Sequence, residues 1–350
     1  MNRKAATRSA CQALLTARQV ADPDTLVFVL AATLLATWSP DNSAARRATA
    51  TELIALADES GWMEVAMEAH NWRSAVFEED GDLPASDADL AALDRLAARA
   101  GRPFYTATVA MRRAGRALAQ GRYDDAERFA AVTLAHGGEG RNFQAAVNLQ
   151  TFQRYRDRGA LGRIADRVVE FIEAFPEIPS LGAAHAVLHY ELGNLDLAAS
   201  ALRDLGKDDF AAIPRDWLWV GALGHLAEVC AGLCDFDSAA TLYRLLLPYA
   251  ERVIVVAHGV LSMGAAARGL GLLAATLGRG DDAERHFRTA VDIDTRCGAL
   301  PWLVRTQLGY ADLLRSRDAR DDATRARSLL AEAHATAARL GMRVTARTAV

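Results

Sequence analysis

The chain has 350 residues, 51% hydrophobic and 24% charged, with a formal net charge of −4. This balance fits a folded protein with a substantial core. It lacks the long basic blocks that neutralise many phosphates at once, which argues against direct nucleic-acid binding. Four cysteines (Cys11, Cys230, Cys234 and Cys297) are too few for a disulfide framework. An Ala- and Leu-rich composition with nine prolines favours helix almost throughout.

The first segment, MNRKAATRSACQALLTARQ, is basic but is followed by no apolar stretch of the signal-peptide kind. The run TLVFVLAATLLATW (25–38) has 14 residues, short of the roughly 20 needed to span a bilayer. It predicts a buried helix in a cytoplasmic protein with no membrane partner. From here a six-residue phrase recurs. SPDNSA (39–44) and GDLPAS (81–86) are its looser early forms. GRYDDA (121–126), GNLDLA (193–198), CDFDSA (234–239) and GRGDDA (278–283) follow, with GALGRI (159–164) a looser form, and RDDATR (320–325), with a longer loop, is last. The spacings run from 34 to 44 residues and average about 40, the period of a helix–turn–helix repeat array.

Each phrase reads as the turn between a first and a second helix of one repeat. Its leading Gly supplies a left-handed cap, and its Asp opens the second helix as N-cap or first-turn acid. The Ala five positions on is small where the two helices cross. Phe129, Leu202, Tyr243, Phe287 and Leu330 follow three or four residues later on the same face. The prediction is an all-α, right-handed α-solenoid of about eight tetratricopeptide-like hairpins, each burying its apolar face only by stacking on its neighbours. The whole chain, 1–350, forms one such domain. Residues 10–100 are degenerate repeats, 101–342 are better defined, and 343–350 are a tail.

Motifs of catalysis are absent from the sequence. GLGLLAATLGRG (269–280) lacks the spacing of a phosphate-binding loop; Gly264, Gly269 and Gly271 read as sites of close packing. HAVLH places His185 and His189 on one helical face, but Ala186 stands where a metalloprotease has Glu, so no metal or other cofactor is expected. Cys230 and Cys234, four apart, are expected to share a helical face as small buried hydrophobes. Acidic pairs such as Asp124–Asp125 and Asp281–Asp282 are explained by capping.

The tryptophans fall in or beside the first helices of the repeats, which would line an inner groove. DDFAAIPRDWLW (208–219) reads as a long lead-in to one of these helices. GALPWLVRTQLGYADLL (298–314) sets Trp302 and Arg305 on one face. The candidate ligand- or partner-binding residues are Trp72, Arg73, Tyr105, Arg112, Trp217, His258, Trp302 and Arg305. Aromatic faces would supply stacking area and guanidinium groups would orient an anionic or planar ligand, or a peptide carboxylate.

Several stretches carry a resemblance: RPFYTATVAMRRAGRALAQGRYDDAERFA, DDFAAIPRDWLW with LAEVCAGLCD, and LLLPYAERVIVVAHGVLSMGAAARGLGLLAATLGRGDDAERHF. Together with GALPWLVRTQLGYADLL they resemble the tetratricopeptide-like C-terminal region of large actinobacterial regulators. Those regulators carry an AAA-type ATPase module ahead of it and a LuxR-type helix-turn-helix or a class III nucleotide cyclase. The resemblance spans about residues 10–342 and implies a non-catalytic array whose concave groove binds a partner protein segment or a small ligand. The chain departs from the pattern in lacking the phosphate loop, the cyclase residues and the DNA-reading helix pair, and at His185, His189, His225, Cys234 and Gly269. Those departures leave open an alternative, a stand-alone repeat protein that binds or transforms a small molecule in secondary metabolism with groove His, Arg and Trp residues.

Overall fold

The computed structural model describes residues 3–20, 22–138, 140–317 and 321–343. Among these residues the fold is helical apart from one two-stranded sheet. The N-terminal helices are α1 (Arg3–Val20), α2 (Pro23–Ala36), α3 (Ser43–Ser60), α4 (Met63–Glu79), α5 (Leu83–Ala100) and α6 (Pro103–Ala119). Then come α7 (Tyr123–Gly137), α8 (Arg141–Asp157), α9 (Ala165–Glu173), α10 (Leu181–Glu191), α11 (Leu195–Gly206), α12 (Trp219–Gly232) and α13 (Phe236–Leu246). Strands β1 (Val253–Val256) and β2 (Leu261–Ala265) precede α14 (Ala266–Thr276), α15 (Gly280–Arg296), α16 (Leu300–Arg317) and α17 (Asp322–Leu340).

The recurring phrase marks real helix–helix turns. Gly81, Gly121, Gly159, Gly193 and Gly278 all take left-handed backbone, with φ between +61° and +79°. Cys234 adopts the same geometry at φ +54° without the freedom of glycine. Asp82 and Asp235 cap α5 and α13, accepting from the Ala85 and Ser238 amides at 3.1 and 3.0 Å. Ser86, Ala126, Ala198, Ala239 and Ala283, five positions after each start, are buried where paired helices cross. The ends of the series differ. Residues 40–42 form a 3-10 turn, and Ser43 is buried while Ala44 is exposed. The last phrase begins outside the described residues, and Ala326 is the buried small residue there.

Two segments depart from the expectation of helix throughout. Residues 208–218 form no regular lead-in to α12: Asp208, Asp209 and Phe210 all have positive φ, and Pro214 follows. Phe210 and Ile213 are nevertheless buried and pin the loop to the core. The larger departure is β1–β2, an antiparallel hairpin. Its first strand, VIVV, is wholly β-branched, which favours extended backbone. Ala257, His258 and Gly259 turn the chain at φ +49°, +58° and +83°. Every residue of both strands is buried, packed among α4, α6, α12, α14, α15 and α16. Residues 253–265 are thus enclosed by six helices of the same chain.

The hairpin draws distant parts together. The Gln150 side chain donates to the Val260 carbonyl at 2.8 Å, and Trp302 Nε1 donates to the Ser262 carbonyl at 3.0 Å. Beside it, Tyr249 and Arg215 both donate to Asp41, more than 170 residues away in sequence. One continuous apolar core runs from Ala117 to Ala326. The N-terminal helices instead carry two small clusters, around Leu30 and Leu53 and around Met67 and Leu93.

Gly264 sits at a tight point where β2 meets α15 and α16. With φ +67°, a Cβ added there would lie 2.5 Å from the Trp302 Cβ and 2.7 Å from Asp294 Oδ1. Gly278, at φ +70°, has no atom within 4 Å of that position. Gly264→Ala is therefore expected to cost at least about 3 kcal/mol through overpacking added to backbone strain. Gly278→Ala is expected to cost only roughly 1–2 kcal/mol. Urea unfolding of the two variants checks the contrast.

Candidate functional site

The hairpin tip emerges between helices at a cluster of aromatic rings. The end of α2 leads to Trp38, α4 supplies Trp72, and the loop before α12 supplies Trp217. The His258 ring lies 3.8 Å from Trp72, 5.1 Å from Trp217 and 6.2 Å from Trp38, centroid to centroid. Trp72, Trp217 and His258 remain partly exposed, whereas Trp38 is buried beneath them with the Arg46 guanidinium 4.7 Å from its ring. From α6, the fully buried Arg112 donates to the His258 carbonyl and to Ser74 Oγ (3.0 Å), and pairs with Glu78 (3.3 Å). Gly115 lets the tip come this close, since a Cβ there would sit 2.5 Å from the Val260 carbonyl oxygen.

The electrostatics keep this mouth neutral at its centre. Burial, reinforced by Arg112 and Arg46, pushes the His258 imidazole down to about 3, and its Nδ1 has no hydrogen bond. On the next turn of α4 the Glu68 carboxyl is pushed up by burial, against hydrogen bonds from Tyr105 and Trp72. Burial and the neighbouring Glu68 in turn raise the Tyr105 phenol.

Five of the eight candidate residues thus meet here: Trp72, Tyr105, Arg112, Trp217 and His258. Arg73 is adjacent to Trp72 in sequence but turns to Asp89 of α5, donating at 2.8 and 2.7 Å, and His70 shares that carboxylate. Trp302 and Arg305 form a separate interior cluster against β2. Trp302 is 1% exposed. Its ring lies between Arg268 (5.1 Å) and Arg305 (5.7 Å), and Arg305 pairs with Asp157 at 2.9 Å. Behind it, Glu228 bridges Arg156 and Arg268, all three buried. Burial would raise the Glu228 carboxyl, but Arg156, Arg268 and Arg305 outweigh it and hold it well below the usual range. Burial with nearby Arg156 pushes His225 down to about 3.

Sequence reasoning passed over Arg46, Glu68, Arg156 and Glu228. Arg46 lay in a short basic stretch, and the others are single charged residues in helical pattern with no local signal. His185 and His189 face each other on α10 with Nε2 atoms 2.9 Å apart. Among the described residues no group of three His, Cys, Asp or Glu is placed to hold a metal. Cys230 and Cys234 do not share a helical face, because α12 ends at Gly232 and Cys234 occupies the exposed turn. Cys230 is buried, its thiol pushed up to about 12 and donating to the Asp235 carbonyl. Cys297 is buried too, and the Cys11 side chain lies outside those described. Among the described residues no helix is long and apolar enough to cross a membrane. The chain matches no protein-family model and no curated protein.

Two measurements test these electrostatics. Glu228→Gln leaves two buried arginines without their shared anion and is expected to cost about 3–5 kcal/mol. The double variant Glu228→Gln/Arg268→Met is expected to recover part of that loss in urea unfolding. Asp294 accepts from the Ala265 amide and the Thr306 hydroxyl, both at 2.8 Å, while burial raises its carboxyl to about 6. Between an ordinary aspartate value and about pH 6 the folded chain keeps this proton and the unfolded chain releases it, so this group's contribution to stability falls as pH rises through that window. Asp294→Asn is therefore expected to be more stable than the wild type near pH 8, by up to roughly 3 kcal/mol. The advantage is expected to vanish near pH 4, as unfolding curves at both pH values would reveal.

Proposed function

We propose that the chain is a non-catalytic binding and regulatory array, a right-handed α-solenoid of tetratricopeptide-like repeats acting in the cytoplasm. In this reading it is related to the C-terminal helical regions of the AAA-type regulators that it resembles. It binds a small planar ligand, or a partner segment presenting such a group, at the mouth around the hairpin tip. The observation that carries this reading is the convergence of Trp72 and Trp217 on His258, where the rings are partly exposed and fixed from behind by Trp38 and Arg112.

The mouth suits stacking more than ion pairing. Arg112 is already paired with Glu78 below the rings, and the His258 Nδ1 is itself buried, so the rings offer faces and edges more than polar atoms. In this reading an extended peptide along an inner groove is the less favoured ligand, because the buried hairpin is packed among six helices. One observation favours the second reading, an enzyme acting on a small molecule: the raised Glu68 carboxyl lies at the same mouth and could serve as a general acid.

A screen of planar compounds such as indole and adenine, read by thermal shift and tryptophan emission, tests the proposal. Ligands are expected to raise the melting temperature and alter emission. Both effects are expected to drop at least about tenfold in apparent affinity in Trp72→Ala and Trp217→Ala, with circular dichroism unchanged. Equal binding by the wild type and both variants would overturn the site. Turnover lost in Glu68→Gln with binding retained would favour the enzyme.

A further inference from the structure

We propose that the cleft between the start of α7, the end of α8 and the chain at residues 341–343 binds a phosphate-bearing small molecule. The cleft has a volume of about 640 Å³, the size of a nucleotide site, and lies apart from the hairpin mouth. Arg154, Arg158, Arg163 and Arg343 line it, together with Tyr123 and Tyr155. Four guanidinium groups around one hollow are expensive in mutual repulsion unless an anion joins them.

The surrounding acids only partly answer that charge. Glu127 pairs with Arg154 at 2.7 Å, and Asp124 approaches Arg158 only to 4.0 Å. Both carboxylates are well exposed, 63% and 99%, so a stronger anion displaces them at little cost. Arg163 and Arg343 form no ion pair among the described residues.

The site is also held in shape. The Arg158 guanidinium lies 4.9 Å from the Tyr123 ring and that of Arg154 5.4 Å from Tyr155. Stacking of this kind uses the face of the guanidinium and leaves its N–H edge free to fork onto phosphate oxygens. The fourth wall comes from far along the chain: the Arg343 amide donates to the Asp157 carbonyl at 2.9 Å. Glycines allow both close approaches. A Cβ at Gly159 would lie 2.7 Å from that of Arg343, and one at Gly341 would lie 3.1 Å from Arg158 Nη1. Tyr123 and Asp124, in the first turn of α7, line the same cleft, and that turn has no side-chain cap. A single carboxylate would engage one fork, whereas a di- or triphosphate offers enough oxygens for several.

Isothermal titration of the full chain with sodium pyrophosphate and, separately, with ATP tests the site. Micromolar binding that weakens as salt rises is expected. Arg163→Glu/Arg343→Glu, at exposed positions, is expected to lose at least about tenfold in affinity with an unchanged melting temperature. Trp72→Ala is expected to bind as the wild type does, which separates this cleft from the hairpin mouth. Equal affinities would mean that phosphate alone is read, and tighter ATP binding that Tyr155 also meets the base; either supports the site. Absence of binding by both probes at about 1 mM would overturn it. So would undiminished binding by the double variant, or an oligoglutamate peptide binding as tightly as pyrophosphate.

Discussion

A two-stranded sheet has two open edges, and burying one among helices leaves backbone groups that other parts of the chain, mostly side chains, must satisfy. That constraint organises this protein. Arg112, Gln150, Asp294 and Trp302 each hydrogen-bond a backbone atom of the hairpin, and they come from four different helices. Each is buried, so each must itself be neutral, paired or otherwise satisfied. Arg112 is answered by Glu78, and Asp294 by Thr306 and a raised proton affinity. The pairing of Arg156 and Arg268 with Glu228, one layer out, belongs to the same problem. A polar strand surface inside an apolar core draws polar side chains inward, and these draw their counter-charges after them.

This explains what the sequence disclosed and what it withheld. The turns between paired helices were legible because their requirements are local. A left-handed cap selects glycine, as at Gly121 and Gly193, and a close crossing selects alanine, as at Ala126 and Ala283. A second set of left-handed glycines, Gly61, Gly101 and Gly298, follows α3, α5 and α15 in the same way and went unread for want of an accompanying phrase. The hairpin was not legible as a strand pair. Four β-branched residues in a row also suit a short buried helix, and the pattern around them is Ala- and Leu-rich. The cue available was VIVV followed by Ala-His-Gly, a β-branched run leading to a glycine that tolerates positive φ.

The candidate site divides along the same line. Candidate aromatic and basic residues could be named from the sequence, and five of them meet at one place. Helical phase could not say which would stay open to solvent. Trp302 and Arg305 share a helical face as expected, but β2 covers that face, and the ring donates to the Ser262 carbonyl instead of meeting a ligand. Arg73 shows the reverse error: its helical position was right, and a partner on the next helix, Asp89, claimed it.

Filling the interior has a consequence for recognition. An open array must order itself around a partner and lose conformational freedom in doing so. In the proposed reading the buried hairpin supplies that order in advance. Its tip holds three successive left-handed residues, two of them not glycine, at a cost of order 1–3 kcal/mol each. Such strain persists only where surrounding contacts determine it, and those contacts are the three tryptophans and Arg112. At the proposed site a ligand would therefore meet rings already fixed in place, and its binding energy would go into contact instead of organisation.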